Sequence, residues 1–313
     1  MRKRVEEIDY LKSLLIILMV VFHLACIGDK YPYLKAVVYT FHMSGFLVVS
    51  GFLSNPSKNL PTFLRTIFFL FVPYAMMEVG YVVMASVLPI REHITALTPL
   101  LIVEKIFISP IGPYWYIHTL ILSYIVWYSS SKLLSYTPAK SRLLRLLFLL
   151  LCFYGLSRFG LIAFENAMYF AFGAMIRLSG ISFTSVFQSS KLALLPMILL
   201  CCFPDNLDRG TFGGVIITYL SISFLLSTLP YLPLGLRKTS LFIGRNTLVI
   251  LLFSPVFTFL SKGLIPTFSF DQTGILFACI ATTITISGSL GIAWLMDKLR
   301  LSGFFFGEKR VLG

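Results

Sequence analysis

The chain has 313 residues, 57% of them hydrophobic and only 12% charged, where an ordinary soluble domain carries about 25% charged residues. A soluble globular enzyme is excluded. Twenty-six Lys and Arg against thirteen Asp and Glu give a formal charge of +13, which in a membrane chain reflects cytoplasmic loops facing anionic lipid rather than nucleic-acid binding.

The N-terminus, RKRVEEIDY followed by LKSLLIILMVVFHLACIG, has the basic region and apolar run of a signal peptide. The run is long and further spans follow it, so it reads as an uncleaved signal-anchor. Cys26 after Leu24 and Ala25 gives part of a lipoprotein cleavage box, but His23 stands where an aliphatic residue is wanted. The five cysteines lie in apolar stretches without CxxC spacing, so neither a disulfide framework nor a metal site is expected. They read as small core hydrophobes.

A crossing needs about 20 apolar residues, and apolar runs set against turn and charge signals predict spans near 11–28, 36–53, 65–88, 114–131, 144–162, 166–179, 192–203, 211–229, 240–261 and 274–296. The expected architecture is an all-α integral membrane protein of about ten transmembrane helices, one membrane-embedded domain over 1–313 with no room for a separate soluble domain. The stretch 97–111, LTPLLIVEKIFISPI, is short and carries Glu104 and Lys105, so it is expected to lie in the interface rather than cross. With the N-terminus inside, this layout puts eighteen Lys and Arg on the cytoplasmic side and seven outside, with Lys12 left in the first span. That asymmetry predicts both termini to be cytoplasmic, in a multi-pass protein of the inner membrane.

Ionisable groups at membrane depth are costly and therefore functional candidates. Lys12, His23, His42 and Glu78 stand out. Lys12 and His23 are eleven residues apart on the first helix, about 16 Å along its axis and about 20° from three full turns, so they share a face. His42 lies about 9 Å below the outer start of the second span, and Glu78 about 20 Å above Arg65 at the inner start of the third. His23, His42 and Glu78 are thus predicted at similar depth. A neutral histidine suits a general base, and a carboxylate could orient it. Each group also has a plain structural reading, a helix–helix hydrogen bond or an ion pair such as Glu78 with Lys12. Tyr114, Trp115 and Tyr116, with His118 after them, read first as an interfacial belt, and His93 as a solvated loop residue.

Several segments in order resemble the integral-membrane acyltransferase-3 family, whose members O-acetylate sugars of surface polysaccharides and related acceptors. IDYLKSLLIILMVVFH is similar to the family's opening helix, in which a basic residue precedes a histidine by eleven positions, here Lys12 and His23. FHMSGFLVVSGFL resembles its aromatic-rich helix ending in Ser-Gly-Phe, mapping onto His42, Met43, Ser50, Gly51 and Phe52. FLRTIFFLFVPY supplies Arg65, Pro73 and Tyr74, and GPYWYIHTL supplies Trp115. YFAFGAMIR and IGRNTLVILLF resemble two later helices and contribute Arg177, Gly244 and Asn246. The likeness covers about residues 8 to 260 and is strongest with a fucose-O-acetylase-like branch, where lysine stands in place of arginine. Lys12 gives a point charge and no bidentate fork. Ser254 stands about where many relatives have a histidine, and it is given no role.

The resemblance implies transfer of an acetyl group from acetyl-coenzyme A to a sugar hydroxyl, without a metal. Lys12, Arg65, Arg177 and Arg245 are then candidates for the phosphates of coenzyme A. His23 becomes the general base or an acyl relay, and Ser50, His42 or Lys12 a donor to the oxyanion, with Glu78 beside the histidines. Tyr31, Tyr33, Trp115, Tyr116 and His118 could meet the acceptor sugar at the outer mouth. Two other classes compete: a transporter or flippase of a lipid-linked sugar, which would call for paired broken helices that the sequence lacks, and a non-catalytic membrane protein of the same fold. Nothing in the sequence indicates an oligomeric state.

Overall fold

The computed structural model describes residues 5–88, 93–134 and 142–313, apart from the side chains of Ala25 and Arg142. Five of the cations counted for topology, Arg2, Lys3, Arg4, Arg91 and Lys140, lie outside the described residues. In chain order the α-helices are α1 Glu6–His23, α2 Ala25–Lys30, α3 Pro32–Leu53, α4 Leu60–Val87, α5 Pro99–Phe107, α6 Trp115–Leu133, α7 Arg142–Arg158, α8 Phe164–Ser179, α9 Phe183–Val186, α10 Leu194–Cys201, α11 Phe212–Thr228, α12 Leu234–Arg245, α13 Thr247–Leu260, α14 Ile275–Lys298 and α15 Ser302–Phe306. No strand occurs among the described residues.

Local chemistry sets many of these ends. The side chains of Asn59, Thr98 and Thr211 accept from Thr62 N, Leu101 N and Gly214 N at 3.1, 3.2 and 3.0 Å and start α4, α5 and α11. Gly180, at φ 76°, closes α8 in the left-handed conformation.

Among the described residues, five stretches are long and apolar enough to cross a membrane: Pro32–Leu53, Leu60–Val87, Phe212–Tyr231, Thr247–Phe268 and Ile275–Lys298. A sixth is reached if Pro99–Phe107 and Gly112–Leu133, bent by 40°, form one broken span or re-entrant loop. The shortfall from ten has visible causes. Glu6, Glu7, Asp9 and Lys12 all fall within the 18 residues of α1, whereas α7 and α8 are 17 and 16 residues long, at or below the lower limit of about 17 for a crossing. The predicted first span also breaks at Leu24, and the span near 240–261 breaks at Asn246. The 97–111 stretch, expected to lie in the interface, contains α5, which forms the first arm of the bent pair.

The chain divides into two compact units. The first comprises Met1–Phe46, Ser182–Ser302 and Lys309–Gly313, and the second Leu47–Ile181 and Gly303–Glu308. In the first unit α1 packs along α12, and α13 along α14. A Cβ on Gly244 would overlap the carbonyl oxygen of Asp9, so glycine there lets the end of α12 press onto the backbone of α1. The buried Thr40 hydroxyl donates to Leu207 O at 2.9 Å, and Thr218 Oγ1 donates to Thr40 O at 3.3 Å, joining α3 to α11.

In the second unit the backbones of α3 and α8 touch. A Cβ on Gly51 would overlap Phe170 O, and one on Gly173 would overlap Val48 O. This is the close approach that small residues allow between membrane helices. The five cysteines are free thiols, and of them only Cys201 is buried, so most do not pack as core hydrophobes.

The start of α14 is held by one carboxylate. Asp271 accepts from the Thr273 hydroxyl at 2.6 Å and from the amides of Thr273 and Gly274, while Leu276 N and Phe277 N reach its other oxygen at 2.8 and 3.3 Å. The Thr273 hydroxyl, with the Phe277, Leu276 and Gly274 amides, holds this carboxyl below the usual carboxylate range.

Two outcomes are expected. Gly173→Val should lower the thermal stability of the purified protein by the equivalent of about 1–3 kcal/mol, the usual cost of overpacking, whereas Gly155→Ala, with no atom within 4 Å of the added carbon, should not lower it. Asp271→Ala should speed hydrogen exchange at the Leu276 and Phe277 amides at neutral pH. A carboxylate with a lowered folded pKa contributes stability above its unfolded value of about 3.9 and loses it as pH falls through the folded one, so the native protein should lose the same protection only in acid.

Candidate functional site

In the first unit, the N-terminal end of the opening helix carries a shared carboxylate. Asp9 is buried, and its Oδ1 lies 2.9 Å from Lys12 Nζ while its Oδ2 lies 3.6 Å from Arg245 Nε. Gly244 brings α12 onto α1 at Asp9, which delivers Arg245, the next residue, to the carboxylate. Buried Asn246 then ends α12, its Nδ2 donating to Phe242 O at 2.8 Å and its Oδ1 accepting from Gly313 N at 3.3 Å. Two cations against one anion leave the cluster one positive charge. Lys12 therefore pairs with Asp9, three residues before it, rather than with Glu78.

At the other end of α1, His23 is exposed and its Nδ1 lies 2.7 Å from Met19 O. A carbonyl only accepts, so Nδ1 carries the hydrogen and Nε2 is the lone-pair nitrogen of the neutral ring. The same reasoning applies to His42 on α3, whose Nδ1 lies 2.7 Å from Val38 O. His42 is 2% exposed, and its Nε2 has no hydrogen-bond partner among the described residues. Tyr39 joins the two, with ring centroids 5.9 Å from His23 and 5.1 Å from His42. Lys35 Nζ stands 5.5 Å from the centre of the Tyr39 ring. Lys35, Tyr39 and His42 follow at i, i+4 and i+7 and so share one face of α3.

The second unit holds Glu78, Arg65, Arg177, Ser50, Trp115, Tyr116 and His118. Glu78 is fully buried on α4, and its Oε1 accepts from Ile111 N at 2.8 Å. One turn earlier, Tyr74 donates its hydroxyl to Ile106 O at 2.8 Å. His118 Nε2 lies 3.0 Å from Phe107 O and donates to it, which leaves Nδ1 as its lone-pair nitrogen. These three side chains satisfy backbone groups at the break between α5 and α6, where hydrocarbon offers no water to do so. The break presents carbonyls at the end of α5 and an amide before α6, and α4 meets it with a donor and an acceptor four residues apart.

Tyr116 is buried, and its hydroxyl is 2.8 Å from Ser50 Oγ. Trp115 is half-buried and meets Tyr116 edge-on at 6.3 Å. These two aromatics are packed partners more than an open sugar platform. Arg65 donates to Gly307 O at 2.9 Å and lies over Phe69, and Arg177 is half-buried in the last turn of α8. In the first unit Tyr31 donates to Thr273 O at 2.7 Å, and Tyr33 donates to Cys201 O. His93 is exposed.

Two residues that the sequence reading passed over belong to these arrangements. Asp9 had a signal, an acid placed i, i+3 from Lys12, the spacing of a helical ion pair. Tyr39 had a weaker one, since its place between the histidines depends on how α1 packs on α3.

The structure therefore gathers one positively charged carboxylate cluster and one pair of histidines bridged by an aromatic ring. The acyltransferase-3 family model, described as an acyltransferase domain, matches residues 5–294. No curated protein and no solved structure matches the chain. The family match takes in α1 with Lys12 and His23, the glycine contacts at Gly51, Gly173 and Gly244, and the α5–α6 break, and the protein belongs to the acyltransferase-3 family of membrane acyltransferases.

Proposed function

We propose that the protein transfers an acetyl group from acetyl-coenzyme A to a hydroxyl of a sugar, in a surface polysaccharide or its lipid-linked precursor, and that it belongs to the sugar O-acetylating branch of its family. The observation that carries this reading is His23. Its ring is exposed at the end of α1, and the Nδ1 hydrogen is committed to Met19 O, which supports Nε2 as the base. In the direct route the acceptor oxygen attacks the thioester carbonyl and passes its proton to Nε2. The new C–O bond forms as the C–S bond breaks, and the departing thiolate takes the proton back from the imidazolium. In a relay, the same nitrogen would first carry the acetyl group itself.

His42 supports the same centre as a positioning residue, acting on His23 through Tyr39. Lys12 and Arg245, with an excess positive charge around Asp9, suit the phosphates of a cytosolic polyanion if the N-terminus is cytoplasmic. Arg65 and Arg177 are retained as candidates on the resemblance alone, as are Ser50, Trp115, Tyr116 and His118 for the acceptor. The ten-span layout with both termini inside stands as part of this proposal.

Two measurements test it. Proton NMR of the host's surface glycan, in cells carrying the native chain or His23→Ala at matched membrane abundance, should lose its O-acetyl signal only in the mutant. A general base is worth about 10²–10⁴-fold in rate. Unchanged acetylation would make His23 structural, and a change in glycan export without loss of acetyl would favour the transporter. For Glu78, acetyl transfer by Glu78→Gln should stay near native, because the amide oxygen can still accept from Ile111 N, whereas Glu78→Ala should lose thermal stability. An inactive but stable Glu78→Gln would instead place the carboxylate charge in the chemistry.

A further inference from the structure

A groove of about 790 Å³ runs through the first unit along α1, α12 and α14. Ile17 and Val21, Phe242, and Ile286 and Leu290 give it apolar walls. Its lining extends along α14 from Ile275 to Leu290, about 22 Å at 1.5 Å per residue, or most of a hydrocarbon layer about 30 Å thick. The size is that of a pocket enclosing a whole ligand, and the length is that of an extended chain lying parallel to the helices. The pantetheine arm of coenzyme A is a poor occupant. Its amides would need partners along the whole arm, whereas of the four Thr and Ser hydroxyls on the walls those of Thr239 and Thr283 are donated to Gly235 O and Cys279 O of their own helices, which leaves only Ser287 and the buried Thr282 hydroxyl.

The end of the groove at Ile275 is cationic. A Cβ built on Gly274 would lie 3.1 Å from Ile27 Cδ1 and 3.9 Å from Lys30 Cδ, which sets Lys30 beside the start of α14. Tyr31 lines the same end and is anchored to Thr273 O. A Cβ on Gly28 would lie 3.1 Å from Lys35 Nζ, and that ammonium stands over Tyr39, the ring stacked on His23. Asp29 is adjacent to Lys30, so the three charges sum to one positive. An apolar channel thus leads to two ammonium groups and, through Tyr39, to the base.

We propose that this groove seats the prenyl chain of a lipid-linked sugar phosphate, with Lys30 and Lys35 holding the phosphate so that the sugar it carries is presented to His23. This deepens the function proposed above and rests on it. The acceptor is then a membrane-bound glycolipid rather than a finished polymer.

The test measures binding of radiolabelled decaprenyl phosphate to the full-length protein in detergent. Ala278→Trp, which fills the groove, and the double variant Lys30→Gln/Lys35→Gln should each weaken binding at least tenfold, and unlabelled decaprenol should compete at least tenfold less well than the phosphate. The lysine variant keeps the test valid if the groove variant fails to fold, and Lys30→Arg/Lys35→Arg should restore binding. Binding insensitive to the lysine substitutions, or phosphatidylglycerol competing equally at the same concentration, overturns the proposal and leaves the groove as ordinary lipid-facing surface. Acetyl transfer from acetyl-coenzyme A is measured on the same preparation with a prenyl-phosphate-linked sugar and with a soluble sugar as acceptors. Transfer to the soluble sugar without prenyl phosphate binding defeats the groove alone, whereas binding with transfer to neither acceptor upholds the groove and defeats the acetyltransferase reading.

Discussion

Hydrocarbon supplies no hydrogen bonds, so a helix break within the membrane region has to be answered by side chains of the protein itself. The break between α5 and α6 illustrates the constraint. Tyr74 and His118 take up carbonyls at the end of α5, and Glu78 takes up the amide of Ile111. At the break between α12 and α13, Asn246 does the same for Phe242 O and the terminal Gly313 amide. The polar residues of the membrane region thereby divide into those consumed by the backbone and those with chemistry left over. Both histidines of the first unit hold their Nδ1 hydrogen on a carbonyl of their own helix, which makes Nε2 the lone-pair nitrogen of each neutral ring.

The same constraint explains why three of the family-like segments contain glycine. Gly244 lies against the carbonyl of Asp9, and the Gly51–Gly173 crossing sets α3 directly on α8. Without a hydrophobic force to draw helices together in lipid, close backbone contact is a main source of attraction. At Gly244 the contact has a second effect. It carries Arg245 to the carboxylate that already holds Lys12. Asp9, shared by both cations, offsets part of their charge at the N-terminal end of α1.

Much of the first unit's chemistry was legible in residue order. Lys12 and His23 could be placed on one face because a helix of known rise and pitch relates them, and His42 could be assigned to the second apolar run. The position of Tyr39 between the histidines was not legible, because it depends on the packing of α1 against α3 and not on any spacing within one helix. Glu78 was legible only in part. Its depth was inferred from the length of the third run, but its bond to Ile111 N depends on where the α5–α6 turn comes to rest. Tyr116 likewise looked like an interfacial aromatic and is a buried partner of Ser50.

By itself the sequence determined that the chain is a membrane protein, that it is helical, and that a few ionisable groups lie within its apolar runs. These follow from composition and from the one-dimensional period of a helix. Only the tertiary structure decided how many helices are long and uncharged enough to cross, which cations share Asp9, that the 97–111 stretch is one arm of a bent pair, and that an apolar groove ends at Lys30. Each of these depends on which side chains from distant segments meet, and in a chain where apolar residues fill almost every position, hydrophobicity alone does not select the neighbours.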